Sequence, residues 1–488
     1  MLLTAGTLED IQSACSPIQG DAPRAIAAAT DDVPLSDLQT PFWFAQKIHP
    51  LSASNNVKLA VTVRGDFDVA LWSAAVAAVV SRHESLRVTI AESADGVPLQ
   101  RPVDRVHTTT ISDAVSWSEA QVEHRVAAVV NAPFDLGRGP LFRSEVLRTQ
   151  HGHLLVLVAH HVVADLWSMA TVVKEVVEDY RARVTGQVVS VVPPARMRTS
   201  PRGTAALERA RDADLRYWTA ALSGERETLD LPLDRVLQPH AGEAGRRSLF
   251  QVDAFDAAAL RSLCSRYGAT LHMALLSIYR ILLFRYTGQT DVLIGTPIAR
   301  RSAADEATVG CFINPVAIRC RIDGRSSFAQ TLADVRRSTL GALQHGGVPF
   351  HDVVRAVGAA GGNGGHALHQ TMFALQKIPT LPEAAPLIVG SPGDPVVIGG
   401  LELVGHPLRR IDVPFDLALI VAEGADRLWC CFDYRTSVLD EATVERFARH
   451  FRNLVRQITE RPDCPVARLD MLDVADVSVL ERFERGGD

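Results

Sequence analysis

The sequence predicts an α/β fold built as two lobes of similar size. Three observations carry this. Strand-like runs alternate with amphipathic helical runs in both halves of the chain. The run Leu154-Leu155-Val156-Leu157-Val158 is apolar at every position, as a central strand covered on both faces requires. Composition shifts to Pro, Arg, Ser and Thr from Val191 to Thr204, which reads as a connector. A chain of 488 residues is also too long for one core.

In order, Leu2 to Ala14 has a helical pattern within an otherwise weakly patterned segment. Val57 to Val63 reads as a strand. Asp68 caps a helix to Arg82 that carries Val69, Trp72, Val76, Val79 and Val80 on one face. Trp117 to Ala132 is a second amphipathic helix. Strands follow at Leu141 to Leu147 and His153 to Ala159, then a helix from Asp165 to Arg183. Beyond the connector, helical patterns cover Ala205 to Leu222, Ala257 to Tyr286 and Glu441 to Thr459. Strands are expected at Val292 to Gly295 and Val316 to Cys320. Gly358 to Gly365 and Pro386 to Gly400 read as loops. The chain thus divides into a tail or docking segment (1–32), a first lobe (33–192), a connector (193–204), a second lobe (205–475) and a C-terminal linker (476–488).

Apolar residues at 47% against 22% charged give the balance of a globular protein. A net charge of -6 supplies no electrostatic reason to bind nucleic acid or an acidic membrane. No run approaches the ~18 apolar residues of a membrane span. The seven cysteines form no C-x-x-C pair, so neither a zinc ribbon nor a disulfide framework is indicated, and a cytoplasmic location is expected.

His160-His161-Val162-Val163-Ala164-Asp165 sits where the apolar strand ends and a helix begins. Neighbouring side chains leave an extended backbone in opposite directions. One imidazole therefore supports the backbone while the other faces a crevice. A neutral imidazole there takes a proton from a nucleophile or hydrogen-bonds a charged intermediate. Asp165 is placed to orient the turn or pair with a basic side chain. No third ligand suggests a metal site, and there is no G-x-S-x-G elbow, so Ser168 reads as a helix N-terminal residue and not a nucleophile.

Further motifs stand around this one. Pro34-Leu35-Ser36-Asp37-Leu38-Gln39 with Trp43, and Arg82-His83-Glu84-Ser85-Leu86-Arg87, precede it, as do Phe134-Asp135-Leu136 and Gly139-Pro140-Leu141-Phe142-Arg143. After it come Tyr217-Trp218, Ile294-Gly295-Thr296-Pro297-Ile298-Ala299-Arg300-Arg301, Gly310-Cys311-Phe312-Ile313-Asn314, Met372-Phe373-Ala374-Leu375-Gln376 and Pro414-Phe415-Asp416-Leu417. In type and order these resemble the motifs of nonribosomal peptide synthetase condensation domains, from about Val33 to Arg485.

The resemblance implies two chloramphenicol-acetyltransferase-like lobes arranged as a V around a central substrate tunnel, working as a monomer. Donor and acceptor carrier proteins present phosphopantetheine-tethered substrates from opposite faces, and no cofactor is bound directly. His161 is then the catalytic His, acting as base or as hydrogen-bonding positioner. His160 and Asp165 are structural, with Asp165 paired to Arg301. Leu166, Trp167, Ser168, Asn314 and Gln376 are the tunnel or substrate-contact candidates. Leu166 stands where the family has Gly, which is read either as tolerated variation within the family or as the mark of a subgroup with an unusual donor, such as a polyketide chain from a hybrid assembly line. The implied reaction is amide formation from an acyl thioester and an amine. An ester-forming acyltransferase and a non-catalytic recruitment module are the competing readings, the second disfavoured by the intact His161. The chain is expected to be an excised fragment or a stand-alone enzyme.

Overall fold

Two large sheets organise the chain in the computed structural model, which describes residues 32–187, 205–225, 227–235, 244–358, 368–378, 381–393, 395–409, 411–473, 476–478 and 481. The helix expected at Leu2 to Ala14, the connector 193–204 and the Gly-rich stretch beyond Gly358 lie outside the described residues.

The first sheet has six strands in the spatial order Val396–Ile398, Leu401–Gly405, Asn56–Arg64, Gly152–His160, Phe142–Thr149 and Thr110–Asp113. Its central strand is buried along Leu154 to Ala159, each residue at most 2% exposed, which explains the unbroken apolar run. Helices Val69–Arg82 and Leu166–Thr185 pack beside each other. Asp68 caps the first by accepting from Ala70 N and Leu71 N at 2.8 and 3.0 Å. Helix Glu119–Val130 starts at a capping box between Ser118 and Gln121. A three-stranded sheet joins Val33–Pro34, Pro98–Pro102 and Val88–Glu92.

The second sheet has seven strands, ordered Ile313–Arg321, Asp291–Ala299, Thr371–Gln376, Leu417–Glu423, Leu428–Arg435, Ala244–Val252 and Ile411–Asp412. Helix Glu441–Glu460 packs against it through Phe447, Phe451, Leu454 and Ile458, all at most 1% exposed.

Two expectations are corrected. The single helix expected from Ala257 to Tyr286 is two, Ala254–Arg266 and Leu271–Thr287, meeting at 108°. Gly268 turns the chain at φ +57°, and Thr270 caps the second helix by accepting from Met273 N. Helical periodicity runs through the break because both helices are core-facing. Pro386 to Gly400 is likewise no plain loop: it contains most of helix Ala385–Val389 and strand Val396–Ile398. That strand and Leu401–Gly405 leave the second lobe's part of the chain and pair into the first sheet, Leu403 opposite Val63 and Val404 opposite Thr62. Gly399 and Gly400, at φ +55° and +87°, form the turn between them. Among the described residues no single helix is long and apolar enough to cross a membrane.

Candidate active site

The motif is built at the exit of the central strand. His160 N donates to Leu141 O at 3.0 Å and His161 N to Asn55 O at 2.8 Å, so neighbouring segments pin both backbones. Val162, Val163 and Ala164 follow with no exposed surface and peg the turn into the first core. Asp165 then begins helix Leu166–Thr185, accepting from Ser168 N at 2.7 Å.

The two imidazoles occupy different surroundings. His160 has no exposed surface. Its Nδ1 accepts from Val162 N at 3.1 Å, which makes Nε2 the protonated nitrogen, 3.1 Å from Gln46 Oε1. Burial, with the positive charge of a protonated His161 and of Arg143, pushes its pKa down to about 3. Both ring nitrogens are thus engaged within the protein. His161 is partly exposed. Its ring stacks on Phe42, centroids 5.0 Å apart and planes at 17°, and its Nδ1 makes no hydrogen bond of normal geometry among the described residues. Burial holds its pKa down at about 4 against the opposing pull of Asp165 and of the Ala164 backbone. The ring is therefore neutral near pH 7 and retains hydrogen-bonding capacity.

Asp165 is the junction between lobes. Arg301 Nη2 donates to Oδ1 and Oδ2 at 3.2 and 3.3 Å, and the two side chains are only 5% and 4% exposed. Phe312 N donates to Oδ2 at 3.1 Å, and Asp165 N donates to Gly310 O at 3.1 Å. Ser168 Oγ extends the joint: it donates to Gly310 O at 2.8 Å and accepts from Gly310 N and Arg301 Nη2 at 3.0 and 2.9 Å. The guanidinium also lies over the Phe312 ring, 4.1 Å from its centroid. A desolvated carboxylate is thus met by a cation and two backbone donors, the conditions under which such a pair is tolerated.

The remaining candidates are spread more widely. Leu166 takes the first helical position and packs against the first core, so a positive φ is not needed there. Its difference from glycine lies in the side chain. Trp167 Nε1 donates to Glu306 O across the lobes at 3.1 Å. Asn314 is 2% exposed: Nδ2 donates to Gly346 O and Val348 O, and Oδ1 accepts from Phe350 N. It ties down a loop, with both Nδ2 protons engaged. Gln376 ends strand Thr371–Gln376, partly exposed, and is not joined to the His161 cluster by any described contact.

Gln39, from the opening motif, and two residues that sequence reasoning did not single out, Phe42 and Gln46, support the motif from helix Thr40–Ile48 and its cap. Gln39 Nε2 donates to Val162 O at 2.7 Å, Phe42 stacks on His161, and Gln46 bonds His160. Their spacing of three and seven places them on one helical face; that periodicity was the available signal.

A family model described as Condensation domain matches residues 29–480. One of the linear gramicidin synthase proteins of Brevibacillus parabrevis is 31% identical over 453 residues, covering 90% of this chain and 6% of that protein. Bacitracin synthase 3 of Bacillus licheniformis is 30% identical over 91% of this chain and 7% of its own length. The chain therefore spans less than a tenth of these curated relatives. Among solved structures, holo-AB3403, a four-domain nonribosomal peptide synthetase bound to AMP and glycine, superposes with a TM-score of 0.77 at 20% identity, over 91% of this chain and 34% of that one. The first condensation domain of the calcium-dependent antibiotic synthetase, in complex with a substrate analogue, gives 0.73 at 21%, over 91% and 100%. These likenesses show the fold, two chloramphenicol-acetyltransferase-like lobes.

Proposed function

The chain belongs to the condensation-domain family of nonribosomal peptide synthetases, and on that premise we propose that it transfers an acyl group from a carrier-tethered thioester to an amine, forming an amide. The amine is carried by an aminoacyl group on a second carrier protein, and both substrates arrive on phosphopantetheine. In this reading the two lobes, 33–192 with strands 396–405 and the rest of 205–475, wall the tunnel in which the two meet.

The observation that carries the proposal is the state of His161: neutral, partly exposed, stacked on Phe42 and set beside the buried Asp165–Arg301 joint. A thioester is already activated, so the site has to hold the nucleophile against the carbonyl and accommodate developing charge. The amine lone pair forms the C–N bond, the tetrahedral carbon collapses, and the thiolate leaves and takes up the proton that the amine gives up. A ring with a pKa near 4 is a weak base at neutral pH. This supports His161 as an acceptor of a hydrogen bond from the amine, orienting its lone pair, in preference to a store for the proton.

The test loads a carrier with donor and offers matched amine and alcohol acceptors, with products read by intact-protein mass spectrometry. The amide mass is expected. An ester mass alone would assign the chain to the ester-forming reading, and no product with several donors would assign it to recruitment.

A further inference from the structure

The first lobe carries another cavity, at the edge of its sheet away from strands 396–405. Strand Phe142–Thr149 begins beyond the reach of its parallel partner, since the pairing with Thr110–Asp113 starts only at Glu145. The space beside Phe142 and Ser144 is closed by residues 86–89 on one side and 103–110 on the other, leaving about 270 Å³.

The wall holds Arg87, Arg105, Arg138 and Arg143, and no carboxylate. Arg87 Nε is buried without a hydrogen-bond partner. Among the described residues Arg87, Arg105 and Arg138 make no ion pair. Asp135, near in sequence, has its Oδ1 occupied by the backbone of Gly137 and Arg138. Arg143 donates only to neutral carbonyls, Val129 O, Ala132 O and Pro133 O, and lies over the Phe134 ring. The Arg143 guanidinium is thus engaged outside the cavity, and Arg87, Arg105 and Arg138 remain as three lining arginines with no carboxylate in the wall beside them. The accessible apolar part of the wall is Val103, Pro140 and Val106, the last 81% exposed, while Phe142 lies behind it with no exposed surface. Planar guanidinium forks match phosphate and carboxylate oxygens in pairs. An apolar wall beside them takes a hydrocarbon group out of water.

We propose that this cavity binds a small organic oxyanion, a phosphate ester or carboxylate bearing an apolar group about the size of a phenyl ring. Arg87, Arg105 and Arg138 hold the oxyanion, and Val103, Val106 and Pro140 cover the apolar part. The site is separate from the His161 chemistry and does not depend on it.

The experiment is calorimetric titration of the full chain at low salt with phenyl phosphate, benzoate and inorganic phosphate. It is repeated with the Arg105→Gln/Arg138→Gln double variant and with Val106→Glu. Both arginines and Val106 are exposed, so the variants are expected to melt as the parent does. Saturable binding of phenyl phosphate or benzoate, weakened about tenfold or more in each variant, is expected; the stronger of the two ligands tells a phosphate site from a carboxylate site. Absence of saturable binding at millimolar ligand, or unchanged affinity in the double variant, overturns the proposal. Inorganic phosphate binding as tightly as phenyl phosphate overturns its apolar half.

Discussion

Asp165 caps a helix, receives a backbone N–H from the other lobe and balances Arg301, all in a position that is 3% exposed. Asp165→Ala leaves the Arg301 charge buried and uncompensated, at a cost of ~3–5 kcal/mol. The expected result is an aggregating or low-melting protein, read by thermal melting and soluble yield; a normal melting curve contradicts this. His161 gives a different expectation. Its pKa is held near 4 by burial, so the ring does not change charge across the neutral range. The ring should therefore add no inflection near pH 6.5 to the condensation rate, which rises only as the acceptor amine loses its proton at about 7.7–8.0, measured in single turnover with preloaded carriers; an inflection near 6.5 would mean an ordinary imidazole. The residues of the joint could be named from sequence because ordered motifs in both lobes tie them together. Phe42 and Gln46 share a helical face with Gln39, but that periodicity does not by itself name contacts made across more than a hundred positions.

At the scale of elements, periodicity located the amphipathic helices to within a few residues, and it failed where both sides of a break are core-facing. Between Arg266 and Leu271 the punctuation is only Gly268 and Thr270. The Ile294-Gly295-Thr296-Pro297 strand shows a related limit. A Cβ at Gly295 would lie 2.0 Å from His369 Nε2, a close approach that no sequence pattern announces. His369 is 3% exposed and its ring faces Phe350 and Phe415, so it has little room to move. Gly295→Ala is expected to lower stability by ~1–3 kcal/mol through overpacking, measured by denaturant unfolding. An unchanged midpoint would show that the ring relocates freely.

Across the whole molecule, the two sheets are not confined to the two halves of the chain. Strands 396–405 complete the first sheet although they lie deep in the second half, and Ala53 N donates to Asp412 Oδ2 close by. Sequence order alone cannot reveal such a crossing, because each strand is as apolar as one that stays at home. Four wholly or partly buried histidines add a property of the entire fold. Burial pushes the pKa of His107, His161 and His272 down to about 4 and that of His160 to about 3. The unfolded chain, with values near 6.5, therefore binds more protons than the folded chain between pH 4 and 6.5. Stability is expected to rise with pH across that window and to be lost on acidification. A melting temperature that is flat or falling from about pH 4.5 to about pH 6.5 would contradict the neutral state of these rings.

The proposed reaction turns on His161 as the group that orients the acceptor amine. The most direct measurement is single-turnover amide formation by His161→Ala, with donor- and acceptor-loaded carriers at neutral pH and melting followed in parallel. A rate lower by about 10² or more is expected, in a protein that melts as the parent does. Full turnover by that variant would contradict the role given to His161.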